Sequence, residues 1–200
     1  MINVILLNKL TKSSLKGDVK AFLDLLDALR PYLDIPQVNS ALYSVVYQLA
    51  MNSLIDVSDY CRKCGGKCCS SGNPVPVFPF DYEEMKLRMP NLELKKQGEF
   101  YLLPRPCPYQ DGWKCKIHNF KPYACLSFPF STEDEQKEVI DNYAKGVPSF
   151  KVPDYCIAGK KVKEVVDEVA REMERSLGRT PSPLELLEEL VKRFGGEKRK

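Results

Sequence analysis

The sequence contains no long hydrophobic run. None of its segments reaches the roughly eighteen uninterrupted apolar residues that suggest a membrane-spanning helix. The first residues, MINVILLNKLTKSS, lack the basic start and the small-residue cleavage site of a secretion signal. The net charge is only +3, with lysine and glutamate mixed along the chain, so no strongly basic surface is predicted. We therefore expect a cytoplasmic protein with no membrane partner, and nothing in the charge supports nucleic acid as a partner.

The motifs of several common enzyme classes are also missing. The chain has no Gly-x-Gly-x-x-Gly, no phosphate-binding loop and no Ser-His-Asp arrangement. His118 is the only histidine. The sequence therefore points to no named reaction, and whether the protein is an enzyme stays open.

Cysteine, by contrast, is abundant, and half of the eight cysteines lie in residues 61–69, CRKCGGKCC. Clustered cysteines in a reducing compartment bind metal or carry out redox chemistry more often than they form disulfides. Four disulfides are the alternative, which would suit an intracellular protein of a hyperthermophile. We predict that all eight are metal ligands: Cys61, Cys64, Cys68, Cys69, Cys107, Cys115, Cys125 and Cys156.

The segment 61–69 has the features of a metal knuckle. Gly65 and Gly66 follow a Cys-x-x-Cys pair and allow the backbone to turn tightly, so that two thiolates converge. Cys68 and Cys69 are adjacent, and neighbouring side chains in extended backbone point to opposite sides. We therefore expect these two cysteines to serve two different sites.

Apolar residues at helical spacing predict helices on both sides of the cysteines. After a short apolar start, four such segments cover residues 18–30, 36–52, 160–177 and a last one from Ser182 to before Gly195. In that last segment Ser182 and Glu185 form a capping-box pattern around Pro183. Two shorter helices are predicted at residues 81–89, with Asp81 as the N-cap, and at residues 132–145.

Strand signals are confined to the middle of the chain. Residues 99–103 and 113–117 are rich in aromatic and apolar side chains and flank the turn residues Gln110-Asp111-Gly112. They predict a small β-hairpin whose arms hold Cys107 and Cys115. The proline-rich residues 70–80 are expected to form an ordered but irregular loop.

The predicted fold class is mainly α with a small β-hairpin, in which an irregular cysteine-rich metal-binding domain is flanked by N- and C-terminal helices. Residues 1–57 form the N-terminal helical segment packed on the core, residues 58–158 the cysteine-cluster domain, and residues 159–200 a C-terminal helical hairpin with a basic tail, EKRK, expected to be disordered. The two ends lack cysteine and histidine, so they are expected to stabilise the domain without supplying ligands. The hairpin also fits a helix-turn-helix, but that pattern describes any helical hairpin, and we favour packing on the domain.

Several separate motifs resemble one known family. They are CRKCGGKCC, Cys107-Pro108, Cys115-Lys-Ile-His118, Lys121-Pro122, Cys125 and Phe128-Pro129. Together they resemble the YkgJ-type cysteine-cluster family of zinc- or iron-chelating (CxxCxxCC) proteins, over residues 61–156. The resemblance implies a bound metal centre, often described as an iron–sulfur cluster, and brings no agreed reaction.

The sequence departs from that family at four places. Lys121 stands where the family usually has arginine, His118 where it usually has tyrosine, and Leu126 where arginine is frequent, while three residues instead of two separate Cys64 from Cys68. The two positions without arginine could affect any contact that the family makes with an anion or a substrate. The cysteines are all retained. His118 could complete a mixed coordination shell, but we favour the interpretation that it fills the aromatic position.

Four thiolates at one centre suit either tetrahedral zinc or a [4Fe–4S] cluster. Zinc ribbons usually carry two Cys-x-x-Cys knuckles, whereas this chain has one, so we favour iron–sulfur. Such a centre predicts a redox or electron-transfer protein with a redox or protein partner that the sequence does not identify. The alternative is a structural zinc module that presents a protein, and less readily a nucleic-acid, interaction surface. The number of sites and the grouping of the cysteines stay open.

A thiolate centre is negatively charged, and several cations lie next to the cysteines in sequence. These cations can offset the charge, although ordinary solvated side chains explain them equally well. They are Arg62, Lys63, Lys67, Lys114, Lys116 and Lys121.

Overall fold

The computed structural model describes residues 3–196, so the predicted disorder of the EKRK tail at residues 197–200 lies outside the described residues. Ten α-helices and five short strands form the described part of the chain. The helices are α1 (Val4–Leu15), α2 (Val19–Leu29), α3 (Pro36–Leu49), α4 (Ser58–Cys64), α5 (Lys67–Ser70), α6 (Pro79–Arg88), α7 (Tyr123–Ser127), α8 (Glu133–Asp141), α9 (Ile157–Leu177) and α10 (Pro183–Phe194). The strands are β1 (Val75–Val77), β2 (Lys95–Gln97), β3 (Phe100–Leu103), β4 (Gln110–Asp111) and β5 (Lys114–Cys115). The mainly α fold class with small β elements is confirmed.

The first three helices follow their local sequence signals. Asp18 caps α2 by accepting a hydrogen bond from the Ala21 amide at 3.0 Å, and the helix ends where Pro31 enters a 3-10 turn. The predicted helix over residues 36–52 is α3, followed by a π-helical turn, Ala50–Leu54. The apolar start is itself helical: α1 begins after Asn3, whose side chain accepts from the Leu6 amide at 3.1 Å.

The largest hydrophobic core joins both ends of the chain. α10 packs against α3 and α9, and each of these three helices contributes side chains that are completely buried. Tyr47 lies in this core with its ring 5.5 Å from Phe130 and 4.9 Å from Phe150. The core therefore takes residues from all three predicted parts of the chain. Its fully buried members include Leu15, Phe22, Val46, Tyr47, Leu49, Ala50, Phe130, Val162, Val166, Leu186, Leu187 and Leu190.

Buried polar groups of this core are paired across the helices. The Tyr47 hydroxyl donates to Asp167 at 2.5 Å, and the Tyr43 hydroxyl donates to the Pro181 carbonyl at 2.5 Å. Burial raises the pKa of both tyrosines, so they stay protonated donors. These bonds attach the C-terminal helical hairpin to α3.

That hairpin has the predicted form. α9 ends at Gly178 in the left-handed conformation, with φ of 68°, and Ser182 and Glu185 make both bonds of the capping box at the start of α10. The polar helix predicted at residues 132–145 is the shorter α8. Within residues 3–196, no helix combines the length and the apolar character that crossing a bilayer requires.

The predicted pairing of the strands is wrong. Residues 100–103 form β3, which pairs with β1 and β2 in a three-stranded antiparallel sheet, whereas Lys114–Cys115 pairs with Gln110–Asp111 in a separate hairpin. β1 lies inside the segment that was expected to be an irregular loop. The sequence did not predict this strand because Val-Pro-Val contains a proline, which is rare in strands. The proline is tolerated here because β1 lies at the edge of the sheet, where its missing N–H is not needed. A second, smaller core packs under this sheet and contains Val75, Val77, Met85, Leu92, Leu103 and Ile117.

The predicted N-cap role of Asp81 is also wrong. Phe78 occupies the N-cap position of α6, and Asp81 is completely buried within that helix. Its carboxylate lies 2.5 Å from the Lys12 ammonium of α1, and Lys12 also pairs with Glu84. Burial raises the pKa of Asp81, and Lys12 acts against that rise. The ion pair outweighs the capping pattern because a buried carboxylate needs a countercharge.

Candidate metal centre

The segment with four cysteines is two short helices joined by two glycines. Cys61 and Cys64 lie three residues apart on α4 and therefore on the same side of it. Gly65 and Gly66 have φ of 69° and 70°, the left-handed conformation that glycine adopts without strain. The tight turn predicted for the knuckle is present, and it leads directly into α5.

The extended backbone that was expected at Cys68 and Cys69 is absent from the structure. Both residues lie in α5, where successive side chains diverge by about 100° rather than pointing to opposite faces. Their sulfur atoms are 3.9 Å apart. The glycine turn causes the difference, because it starts a new helical turn at Lys67. Whether the two cysteines serve different sites stays a prediction.

The β4–β5 hairpin packs directly against the glycine turn. The Gln110 side-chain amide donates to the carbonyls of Gly66 at 3.1 Å and Gly112 at 2.8 Å. The Cys107 amide donates to the Cys69 carbonyl at 2.9 Å, and Cys115 pairs with Gln110 in the hairpin. Cys107 and Cys115 are thereby held beside α5.

The last two cysteines come from the other side of the domain. Cys125 lies on α7, whose first amide, at Tyr123, donates to the buried Asp81 at 3.0 Å. Cys156 immediately precedes α9, which packs against α4, and is 7 % exposed. A Cβ on Gly159 would lie 3.1 Å from the Cys156 sulfur, so the glycine gives this thiol its space.

Electrostatic interactions connect four of the thiols into one set. Burial raises the pKa of Cys156 to about 11, and the neighbouring sulfurs of Cys68, Cys61 and Cys64 raise it further. Burial also raises the pKa of Cys61, and Cys64 and Cys68 add to this rise. We call Cys61, Cys64, Cys68 and Cys156 the first set.

The other four thiols form a second set. Burial raises the pKa of Cys125 to about 12, with Cys115 and Cys107 adding to the rise against the opposing charge of Lys121. The hydrogen bond with Cys68 raises the pKa of Cys69, and Cys125 and Cys115 raise it further. We call Cys69, Cys107, Cys115 and Cys125 the second set. Cys68 also acts on Cys115, and its sulfur is 3.9 Å from that of Cys69, so the two sets interact at α5.

Two cations act on these sulfurs. Burial raises the pKa of Cys61 and Cys125, and the charge of Lys121 opposes that rise in both sets. Arg105, which the sequence analysis missed, acts on Cys68 and Cys125. The sequence could have indicated Arg105 only by its position, as a cation two residues before Cys107. By contrast, Arg62 and Lys114 lie over the Trp113 ring, at 5.6 and 5.5 Å from its centroid.

The donor set fits a soft metal, for which thiolates are the preferred ligands. All eight cysteines lie in the described part of the chain as free thiols, so the disulfide alternative is not realised there; Cys156 is buried and the others are half-buried. Within residues 3–196, no three His, Cys, Asp or Glu side chains are grouped closely enough to hold a metal ion as they stand. His118 is exposed on the 3-10 turn His118–Phe120.

These features are those of a cysteine-rich segment that can bind a soft metal. Residues 60–145 match the family model CxxCxxCC, described as "Putative zinc- or iron-chelating domain". The predicted recognition is confirmed, and the YkgJ-type name is consistent with this family. The match supports zinc or iron binding by this segment. No curated protein matched the chain, and no solved structure did.

Proposed function

We propose that this protein holds an iron–sulfur centre, of the [4Fe–4S] type, and transfers electrons to a protein partner in the cytoplasm. The observation that carries the proposal is the presence of eight free thiols, linked by their electrostatic interactions around the Cys68–Cys69 contact at 3.9 Å. Four cysteine thiolates are the complement that such a cluster takes.

Each set combines cysteines from distant parts of the chain. In the first set, α4 and α5 supply three thiols and the start of α9 supplies Cys156. In the second, α5, the β4–β5 region and α7 supply one or more each. Scattered ligation of this kind favours a cluster over a zinc ribbon, whose ligands come as two paired knuckles.

A bound cluster supplies one-electron redox chemistry. The residues of this chain would hold it, keep it close to the surface and balance its charge. Seven of the cysteines are half-buried, so the centre lies where a partner can approach it. Lys121 and Arg105 would offset part of the negative charge of the thiolates.

The proposal is tested by purifying the protein without oxygen and measuring iron, zinc and acid-labile sulfide per chain. We expect a brown protein with stoichiometric iron and sulfide, which a reductant bleaches reversibly. Stoichiometric zinc without iron would instead support the structural module that presents an interaction surface. A folded, metal-free protein with disulfides would contradict both functions.

A further inference from the structure

Arg105 carries a buried hydrogen-bond donor that nothing in residues 3–196 satisfies. The Nε atom of its guanidinium is buried and has no partner within the described part of the chain. A buried donor left unsatisfied costs about 1–3 kcal/mol, so such a group indicates an acceptor in the functional state of the protein.

The position of Arg105 narrows the choice of acceptor. Its Nη1 atom donates to the Ser71 carbonyl at 3.1 Å, and Ser71 directly follows α5. Two residues beyond Arg105, the Cys107 amide donates to the Cys69 carbonyl at 2.9 Å. The arginine is therefore attached to the helix that carries Cys68 and Cys69, and its charge acts on the Cys68 sulfur.

The surroundings also limit which acceptor can reach Nε. Because this atom is buried, a dissolved anion cannot approach it without displacing protein groups. A thiolate of the cluster region is already within the protein and needs only a change of side-chain position. Nitrogen donors to metal-bound ligands of this kind orient the ligand and strengthen metal binding.

We propose that Arg105 is a positioning residue of the thiolate centre, and that its Nε–H donates to the Cys68 thiolate when metal is bound. This inference rests on the proposed metal-binding function. It gives Arg105 a directional role through one N–H group, whereas Lys121 acts on the same sulfur through its charge. Arg62 is the clearest contrast, since its guanidinium lies over Trp113 and pairs with the exposed Asp59 at 3.2 Å.

The experiment titrates reduced, metal-free protein with Zn²⁺ against a competing chromophoric chelator. Zn²⁺ binds thiolates whichever metal the protein holds in the cell. Arg105→Met should weaken Zn²⁺ binding by about 10-fold or more, as loss of a residue that orients a ligand usually does. Arg62→Met removes the same charge next to Cys61 and should change the affinity less than about 2-fold by the same reasoning.

Two further variants separate the hydrogen bond from the charge and from folding. Arg105→Lys keeps the charge but lacks the Nε donor, so it should remain clearly weaker than the wild type. Gly72→Ala changes no charge, but its Cβ would lie 2.8 Å from Arg105 Nη1, and its φ of 95° adds backbone strain beside the arginine, so it should also weaken binding. Circular dichroism identifies any variant that has lost its fold; should Arg105→Met be one, the other two carry the test.

The outcomes distinguish this inference from the proposed function. Wild-type affinity in Arg105→Met, or full recovery in Arg105→Lys, would overturn the role of the Nε donor while metal binding stands. Failure of the wild-type protein to bind Zn²⁺ would instead overturn the proposed function.

Discussion

Cys68 and Cys69 are not equivalent, although their sulfurs are 3.9 Å apart. Cys68 interacts with Cys61 and Cys156, whereas Cys69 interacts with Cys125, and both interact with Cys115. We therefore expect Cys68→Ser and Cys69→Ser to lose different portions of the bound metal. Metal analysis of both variants, prepared without oxygen, measures this. Full metal content in both would show that neither cysteine is a ligand.

Lys12 is the second residue whose replacement should have a large effect. Its ammonium is 7 % exposed and lies 2.5 Å from the fully buried Asp81. Lys12→Met leaves that carboxylate buried without a countercharge, so we expect a loss of about 3–5 kcal/mol in the free energy of unfolding. Urea denaturation measures it.

Two controls accompany that prediction. Combining Lys12→Met with Asp81→Asn removes the buried charge and keeps an acceptor for the Tyr123 amide, so part of the stability should return. Lys20→Met removes a lysine whose pair with Asp24 is solvent-exposed, and it should have little effect. Equal effects of Lys12→Met and Lys20→Met would contradict the importance of the buried pair.

At the scale of elements, the two glycines of the knuckle turn differ in the space available for a side chain. Both have positive φ, so alanine at either position costs about 1–2 kcal/mol in backbone strain. A Cβ at Gly65 meets nothing within 4 Å, whereas one at Gly66 would lie 2.8 Å from Gln110 Nε2 and 3.3 Å from Trp113 Cα. Gly66→Ala should therefore lower stability and metal affinity more than Gly65→Ala. Thermal unfolding and Zn²⁺ titration compare them, and equal losses would contradict a close packing of hairpin and turn.

Elements with strong local signals could be predicted from the sequence. α2, α3, α9 and α10 have regular apolar spacing and recognisable ends, and the Cys-x-x-Cys-Gly-Gly pattern located the turn between α4 and α5. The features that were missed depend on distant residues. β1 is a strand because Leu103 and Tyr101 pair with it, and Asp81 is buried because Lys12 is 69 residues away.

In the candidate site, too, local features could be predicted and features that depend on distant residues could not. The cysteines could be named as candidate ligands from residue type and spacing alone, because clustered thiols have few other roles. Their division into two sets could not, since Cys156 reaches the first set only through the packing of α9 on α4. Arg105 escaped notice because its importance lies in the burial of one nitrogen atom.

For the whole molecule, the terminal helices should determine stability without supplying ligands. Leu187 of α10 is completely buried, and α10 contains no cysteine or histidine. Leu187→Ala should lower the free energy of unfolding by about 2–5 kcal/mol, while the metal content per folded chain stays unchanged. Leu177→Ala, at a site 44 % exposed, is the matched control and should cost much less. Loss of metal from folded Leu187→Ala protein would contradict this separation.

The core shared by both ends of the chain has a consequence for synthesis in the cell. Leu15 and Phe22 belong to the same cluster as Leu186 and Leu190, so this core is complete only after α10 has left the ribosome. All eight cysteines emerge before that moment. The nascent chain thus exposes its thiols before this core is complete, and a metal ion can reach them before folding ends.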